Sequence, residues 1–141
     1  MKTHKQLIVT IFFILFVGFS THAQTIKVGL GNELRKEPPL SMLTKITYNL
    51  EFLDPNMRTS IDFIFLPELR GNLDIHYSFG NDQGVKPYGL GGVSFAVDAG
   101  FNMGAGVDIP ITEDLGGFSE VKYIFKYNPN LSFKLGLLYT L

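Results

Sequence analysis

The sequence predicts an all-β fold, an eight-stranded antiparallel up-and-down β-barrel. Two observations lead there. Apolar and polar residues alternate with a period of two along eight stretches of about nine to thirteen residues, the pattern of strands with two unlike faces. Turn-forming clusters of Gly, Pro, Asn and Asp separate most of these stretches, and none carries helical periodicity beyond a turn.

The last third is the clearest. Phe101, Met103, Ala105, Val107, Ile109 and Ile111 alternate with Gly100, Asn102, Gly104, Gly106 and Asp108. Ser119, Val121, Tyr123, Phe125 and Tyr127 then alternate with Glu120, Lys122, Ile124 and Lys126. Phe133, Leu135, Leu137, Tyr139 and Leu141 close the chain against Ser132, Lys134, Gly136, Leu138 and Thr140. Upstream, Thr25 to Glu33 sets Ile26, Val28 and Leu30 against Lys27, Gly29 and Gly31. Residues 34–41, with Pro38-Pro39, read as the longest loop, unable to form a ladder. Met42 to Phe52, Arg58 to Leu66 and Asn72 to Phe79 follow as strands two to four. Lys86 to Val97 is the fifth, and its Gly89, Gly91 and Gly92 suggest a bulge or bend.

Residues 1–23 read as a cleavable signal peptide, leaving 24–141 as one domain. Lys2 and Lys5 precede an apolar run from Leu7 to Phe19, and Thr21-His22-Ala23 supplies small residues before a cut at Gln24. The run is shorter than the roughly 18 residues of a spanning helix. Removing Lys2 and Lys5 leaves ten basic residues against 13 acidic ones, which argues against a nucleic-acid partner. With Cys 0 there are neither disulfides nor thiolate metal sites. An exported domain this small then needs another means of closure, which a strand ladder in lipid provides.

Inside hydrocarbon every backbone N–H and C=O must be paired, so a sheet spanning a membrane closes on itself. Eight strands enclose side chains instead of a wide channel. The polar parity therefore predicts a lumen network of Lys27, Lys45, Glu51, Asp62, Asp74, His76, Asp108, Glu120, Lys122 and Lys134, closed by ion pairs. Its glycines Gly29, Gly104, Gly106 and Gly136 are expected to leave room for the long charged side chains. Aromatics on the oily parity would form belts at the two membrane interfaces: Tyr48, Phe52, Phe65, Tyr77, Phe79, Tyr88, Phe101, Tyr123, Phe125, Tyr127 and Tyr139.

Four stretches resemble the OmpA-type small outer-membrane β-barrel family. They are Pro87-Tyr88-Gly89-Leu90-Gly91-Gly92, Gly104-Ala105-Gly106-Val107-Asp108, Ser119-Glu120-Val121-Lys122-Tyr123 and Leu135-Gly136-Leu137-Leu138-Tyr139-Thr140-Leu141. The likeness is best over 86–141 and only patterned over 25–80. It implies an outer-membrane location and a monomer in outer-membrane lipid, without a cofactor. It also implies that Phe133, Leu135, Leu137, Tyr139 and Leu141 form the signal read by the barrel-assembly machinery, although a terminal Phe is more usual there. With both termini periplasmic, the outer loops would lie near 34–41, 67–71, 97–100 and 128–130. Only the first is long, which departs from the family's habit of long outer loops.

The expected role is structural, in the envelope or at its surface, and non-enzymatic. Two alternatives stand beside it. A soluble lipocalin-like barrel holding a small apolar ligand would turn the oily parity inward. A lipid-modifying enzyme would use His76, which Asp74 and Ser78 flank on the same strand face. Neighbours at that spacing sit roughly 6.5–7 Å apart, too far for a catalytic pair unless a serine from an adjacent strand serves. The glycine clusters lack nucleotide-loop spacing, and neither a calcium-loop pattern nor a histidine-based metal pattern is present.

Overall fold

The computed structural model describes residues 25–36, 40–65, 68–80, 84–95, 99–126 and 129–141. The expected signal peptide lies outside them. Eight strands follow in order: β1 (Ile26–Arg35), β2 (Leu40–Asn49), β3 (Met57–Phe65), β4 (Arg70–Ser78), β5 (Lys86–Phe95), β6 (Gly100–Pro110), β7 (Leu115–Phe125) and β8 (Asn130–Thr140). Each pairs antiparallel with its sequence neighbours, and β8 returns to β1 to close the barrel. The closing seam runs from Lys27 opposite Thr140 to Arg35 opposite Ser132. No sheet edge remains, so the ladder meets the backbone demand that hydrocarbon imposes. Strands of 9 to 11 residues match the length a tilted strand needs to cross a bilayer.

The strand ends differ from the sequence expectation in two places. Residues 34–41 are not one long loop, because Leu34 pairs with Leu40 and Glu33 with Ser41. The Pro38-Pro39 pair lies outside the described residues. β7 begins at Leu115, four residues earlier than Ser119, since Gly116 and Gly117 pair with both β6 and β8.

The bulge expected in β5 is absent as well. Its pairing with β4 and β6 runs without a skipped residue from Tyr88 to Ser94. Gly92 instead marks a close approach, because a Cβ there would collide with the Leu73 carbonyl and the Asp74 side chain. Two lumen glycines do a job other than the one expected. A Cβ on Gly106 would lie 2.6 Å from the Tyr88 ring, and one on Gly136 would lie 2.8 Å from Phe118. They make room for aromatic rings, not for charged chains.

Residues facing outward are mostly apolar, with Asn32, Thr44, Thr59 and Ser119 as uncharged polar exceptions. The apolar ones include Leu30, Met42, Ile61, Ile75, Phe101, Met103, Val121 and Leu135, each between 37% and 73% exposed. Not one outward position in the eight strands carries Asp, Glu, Lys or Arg. The inside is the reverse, with buried Glu33, Lys45, Arg58, Asp62, Arg70, Asp74, Glu120, Lys122 and Lys134. A small apolar cluster of Leu43, Ile64, Phe118 and Leu138 fills part of the same lumen. This polarity suits a barrel whose solvent outside is lipid.

Exposed aromatics gather at the two ends. Phe63, Phe65, Phe95, Phe101, Tyr123, Phe125 and Phe133 ring the end opposite the termini, the loop end. Tyr77, Phe79, Phe52 and Tyr139 stand near the termini. Tyr88, expected in this belt, is a correction: it points inward and is 2% exposed. Its even position in β5 shares the parity of Leu90 and Ser94, which are also buried. Tyr127 lies outside the described residues.

An Ile61→Arg change, at the centre of β3, should lower folding stability in lipid vesicles by about 2–4 kcal/mol, the cost of that charge at the bilayer midplane. Urea titration of the folded fraction measures this. A loss within about 0.5 kcal/mol, the scatter of ordinary surface substitutions, would show that this face does not meet hydrocarbon.

Candidate functional site

The most developed polar constellation fills the lumen. Inward positions on β2, β3, β4, β7 and β8 place Lys45, Asp62, Asp74, Glu120, Lys122 and Lys134 at one level, all fully buried. Their bridges span the lumen. Lys45 on β2 reaches Glu120 on β7 at 2.7 Å, and Lys134 on β8 reaches Asp62 on β3 at 2.5 Å. Lys122 on β7 bonds to Asp74 on β4. Asp62 is the hub, with Lys45 at 3.0 Å and Lys122 at 3.6 Å besides Lys134.

Three ammonium groups meet three carboxylates, so this layer is neutral. Removing charges from water costs several kcal/mol per ion, and only close, multiple pairing repays it. Neighbours add to the pairing: Tyr88 Oη donates to Glu120 Oε1 at 2.8 Å. Asn72 sets its amide oxygen 2.7 Å from the Lys134 ammonium, and its nitrogen 2.7 Å from Ser94 Oγ.

Below this layer, toward the termini, lies a second cluster. Arg58 grips Asp108 through both guanidinium nitrogens, with Nη2 3.1 Å from Oδ1. Arg58 also lies 4.5 Å over the Tyr88 ring, and Tyr88 stacks on His76 at 4.7 Å. A third cluster sits at the loop end, where Arg35 and Arg70 both contact Glu33.

Of the ten expected lumen residues, Lys45, Asp62, Asp74, His76, Glu120, Lys122 and Lys134 come together as described. Asp108 reaches the network through Arg58 while partly exposed at the mouth. Lys27 is half-buried at that same mouth, lining a pocket of about 180 Å³ with Asp108 and Lys86. Glu51 is a correction: it stands exposed on the turn 50–56, where Asn49 Nδ2 approaches it at 3.5 Å. β2 stops at Asn49, so Glu51 falls beyond the ladder that sets the alternation.

Sequence reasoning missed Arg58, Arg70, Glu33, Arg35 and Tyr88. The signal was present, since Glu33 and Arg35 continue the parity of Lys27, and Arg58 that of Asp62. Arg70 was hidden by reading 67–71 as a turn. Phe133, Leu135, Leu137 and Tyr139, expected to form the assembly signal, face outward on β8, about half exposed.

The histidine is placed against catalysis. Arg58 Nε donates to His76 Nδ1 at 3.1 Å, which spends the ring's lone pair. The neutral ring's proton is then on Nε2, which donates to Ser60 Oγ at 2.9 Å. Ser60 is the adjacent-strand serine that an enzyme would need. A general base must accept the hydroxyl proton, and here the imidazole gives one. His76 and Ser60 are also fully buried, and Asp74 is engaged by Lys122. Among the described residues no group of His, Asp and Glu is arranged to hold a metal ion.

A closed eight-stranded barrel with an apolar outside and a charged inside is the architecture of small outer-membrane β-barrels. No protein-family model matches the chain, and no curated protein matches it. Solved structures do. The N-terminal β-barrel domain of Pseudomonas aeruginosa OprF superposes with a TM-score of 0.67 at 15% identity, covering 83% of this chain and 97% of that one. A major outer membrane protein of Thermus thermophilus gives 0.59 at 11% identity, over 85% of this chain and 100% of that one. The attachment invasion locus protein Ail of Yersinia pestis gives 0.55 at 15%, over 84% and 97%. The fold is therefore that of the outer-membrane barrels, as the sequence resemblance implied, and the lipocalin-like polarity is excluded by the outward oily face.

Two outcomes test the network. Replacing Asp62 by Asn leaves buried lysines short of a counter-charge and should cost about 3–5 kcal/mol of folding stability. A loss below about 1 kcal/mol would mean the lumen is wet enough to screen the charges. Nitrogen NMR of His76 should show the Nε2–H tautomer; an Nδ1–H ring would contradict the Arg58 hydrogen bond.

Proposed function

We propose that this chain is a structural outer-membrane β-barrel protein, with its lumen closed by ion pairs and its role in the envelope or at its surface. The observation that carries this is the pairing of two opposite polarities on one closed ladder. The outside bears no charge on any strand, and the inside holds cross-lumen bridges from β2 to β7, β3 to β8 and β4 to β7. A wall of that kind is stable in lipid and unstable in water.

A closed lumen argues against a diffusion pore. The central bridges, the Tyr88–His76 stack and Phe118 occupy the bore from wall to wall. A non-catalytic role is supported by the buried His76, whose lone pair faces Arg58 and not a hydroxyl. The outward row Phe133, Leu135, Leu137 and Tyr139, followed by Leu141, is available for recognition by the barrel-assembly machinery. A ladder that closes within one copy supports a monomer, because no strand is left to pair with a second chain.

Planar bilayer recording of the purified protein tests the closed lumen. The expected trace holds no sustained open level, while the Asp62→Asn variant shows transient openings as its braces loosen. Steady conductance from the unmodified chain would overturn the reading of a sealed lumen.

A further inference from the structure

At the loop end of the lumen two guanidinium groups share one carboxylate. Arg35 is the last residue of β1, Arg70 is the first of β4, and both contact one carboxylate. Arg35 Nη2 lies 3.1 Å from Glu33 Oε1, and Arg70 Nη1 lies 2.9 Å from Oε2. Ser132 Oγ also donates to Oε1 at 2.6 Å. Arg70 Nη2 donates to Ser41 Oγ at 3.0 Å.

The guanidinium donors are not all used. Arg35 Nε and Arg70 Nε are buried and have no hydrogen-bond partner among the described residues. The side chains are 6% and 5% exposed, so bulk water does little to satisfy them. Among the other described charged groups at this end, Glu68 acts on Arg35 only from a distance. A buried guanidinium with an unmade N–H bond is costly until an acceptor fills the gap.

We propose that the loop-end mouth of the lumen binds a tetrahedral oxyanion, a phosphate or sulfate group, between Arg35 and Arg70. The chemistry follows from the donors. Guanidinium forks present Nε–H and Nη–H in a plane that matches two oxygens of one anion. Two such forks on either side of Glu33 call for an acceptor with several oxygens, which a halide lacks. The anion can be a free ion or the ester group of a lipid. The inference rests on the closed barrel and not on its location, so its failure leaves the membrane reading standing.

The test uses the full chain folded in detergent micelles, with arginine Nε–H signals followed by NMR. The whole sequence has three arginines, Arg35, Arg58 and Arg70, which makes Arg58 an internal control at the opposite end. Sodium sulfate is titrated at ionic strength held constant with sodium chloride. The Arg35 and Arg70 signals should shift saturably while Arg58 stays in place. Arg35→Met and Arg70→Met should each weaken the apparent affinity at least tenfold, in variants whose unboiled gel migration shows a folded barrel. Glu33→Gln, which removes the competing carboxylate, should keep or tighten binding. Repeating the titration with phosphatidic acid in bicelles separates the sources: a response there assigns a lipid headgroup, and a response to sulfate alone assigns a soluble anion. No saturable shift with sulfate, or one that Arg58 shares, would overturn the proposal. The wild-type titration decides even if one arginine variant fails to fold.

Discussion

The whole structure depends on the seam between β1 and β8. Without it, two rows of backbone donors and acceptors would face hydrocarbon, where each unsatisfied group costs several kcal/mol. With it, the ladder is continuous and every strand has two partners. Closure then dictates the rest. A ring of eight strands leaves a bore wide enough only for side chains, so what faces inward must pack as a core does. The chain meets that demand with charge, which is why its interior reads like another protein's surface.

Charge can fill a core only when it is paired on several sides. Asp62 illustrates the rule, drawing Lys134, Lys45 and Lys122 from three other positions on the ring. Bridges that join strands far apart in the ladder resist ovalling of the barrel in a way neighbouring-strand bonds do not. The same logic explains the inward aromatics. Tyr88 donates to Glu120, stacks on His76 and receives Arg58 over its face, and so links the central layer to the one near the termini. Gly106 permits that ring to lie flat against the wall.

Much of this was legible in sequence because the strand period is rigid. Once Lys122 and Glu120 share a face, Ile124 and Phe118 must share it too. The barrel, its strand number and most of the charged lumen follow from that one rule. What stayed hidden lay at strand ends. Glu51 was assigned inside because β2 was read past Asn49, and Arg70 was lost because β4 was started too late. Tyr88 was placed in the belt because aromatic character outweighed its parity among blurred glycines. Pairing across the lumen was not legible at all, since parity fixes a face but not which side chains meet over the bore. The tautomer of His76 needed coordinates for the same reason.

Cells expressing the full chain give the most direct test of the central claim, that this ladder closes in the outer membrane. Outer-membrane and soluble fractions run on a denaturing gel, with and without boiling, report both location and closure. The account predicts a band confined to the outer-membrane fraction that migrates differently when unboiled, because the closed ladder survives detergent until heated. A soluble band that heating leaves unmoved would contradict it.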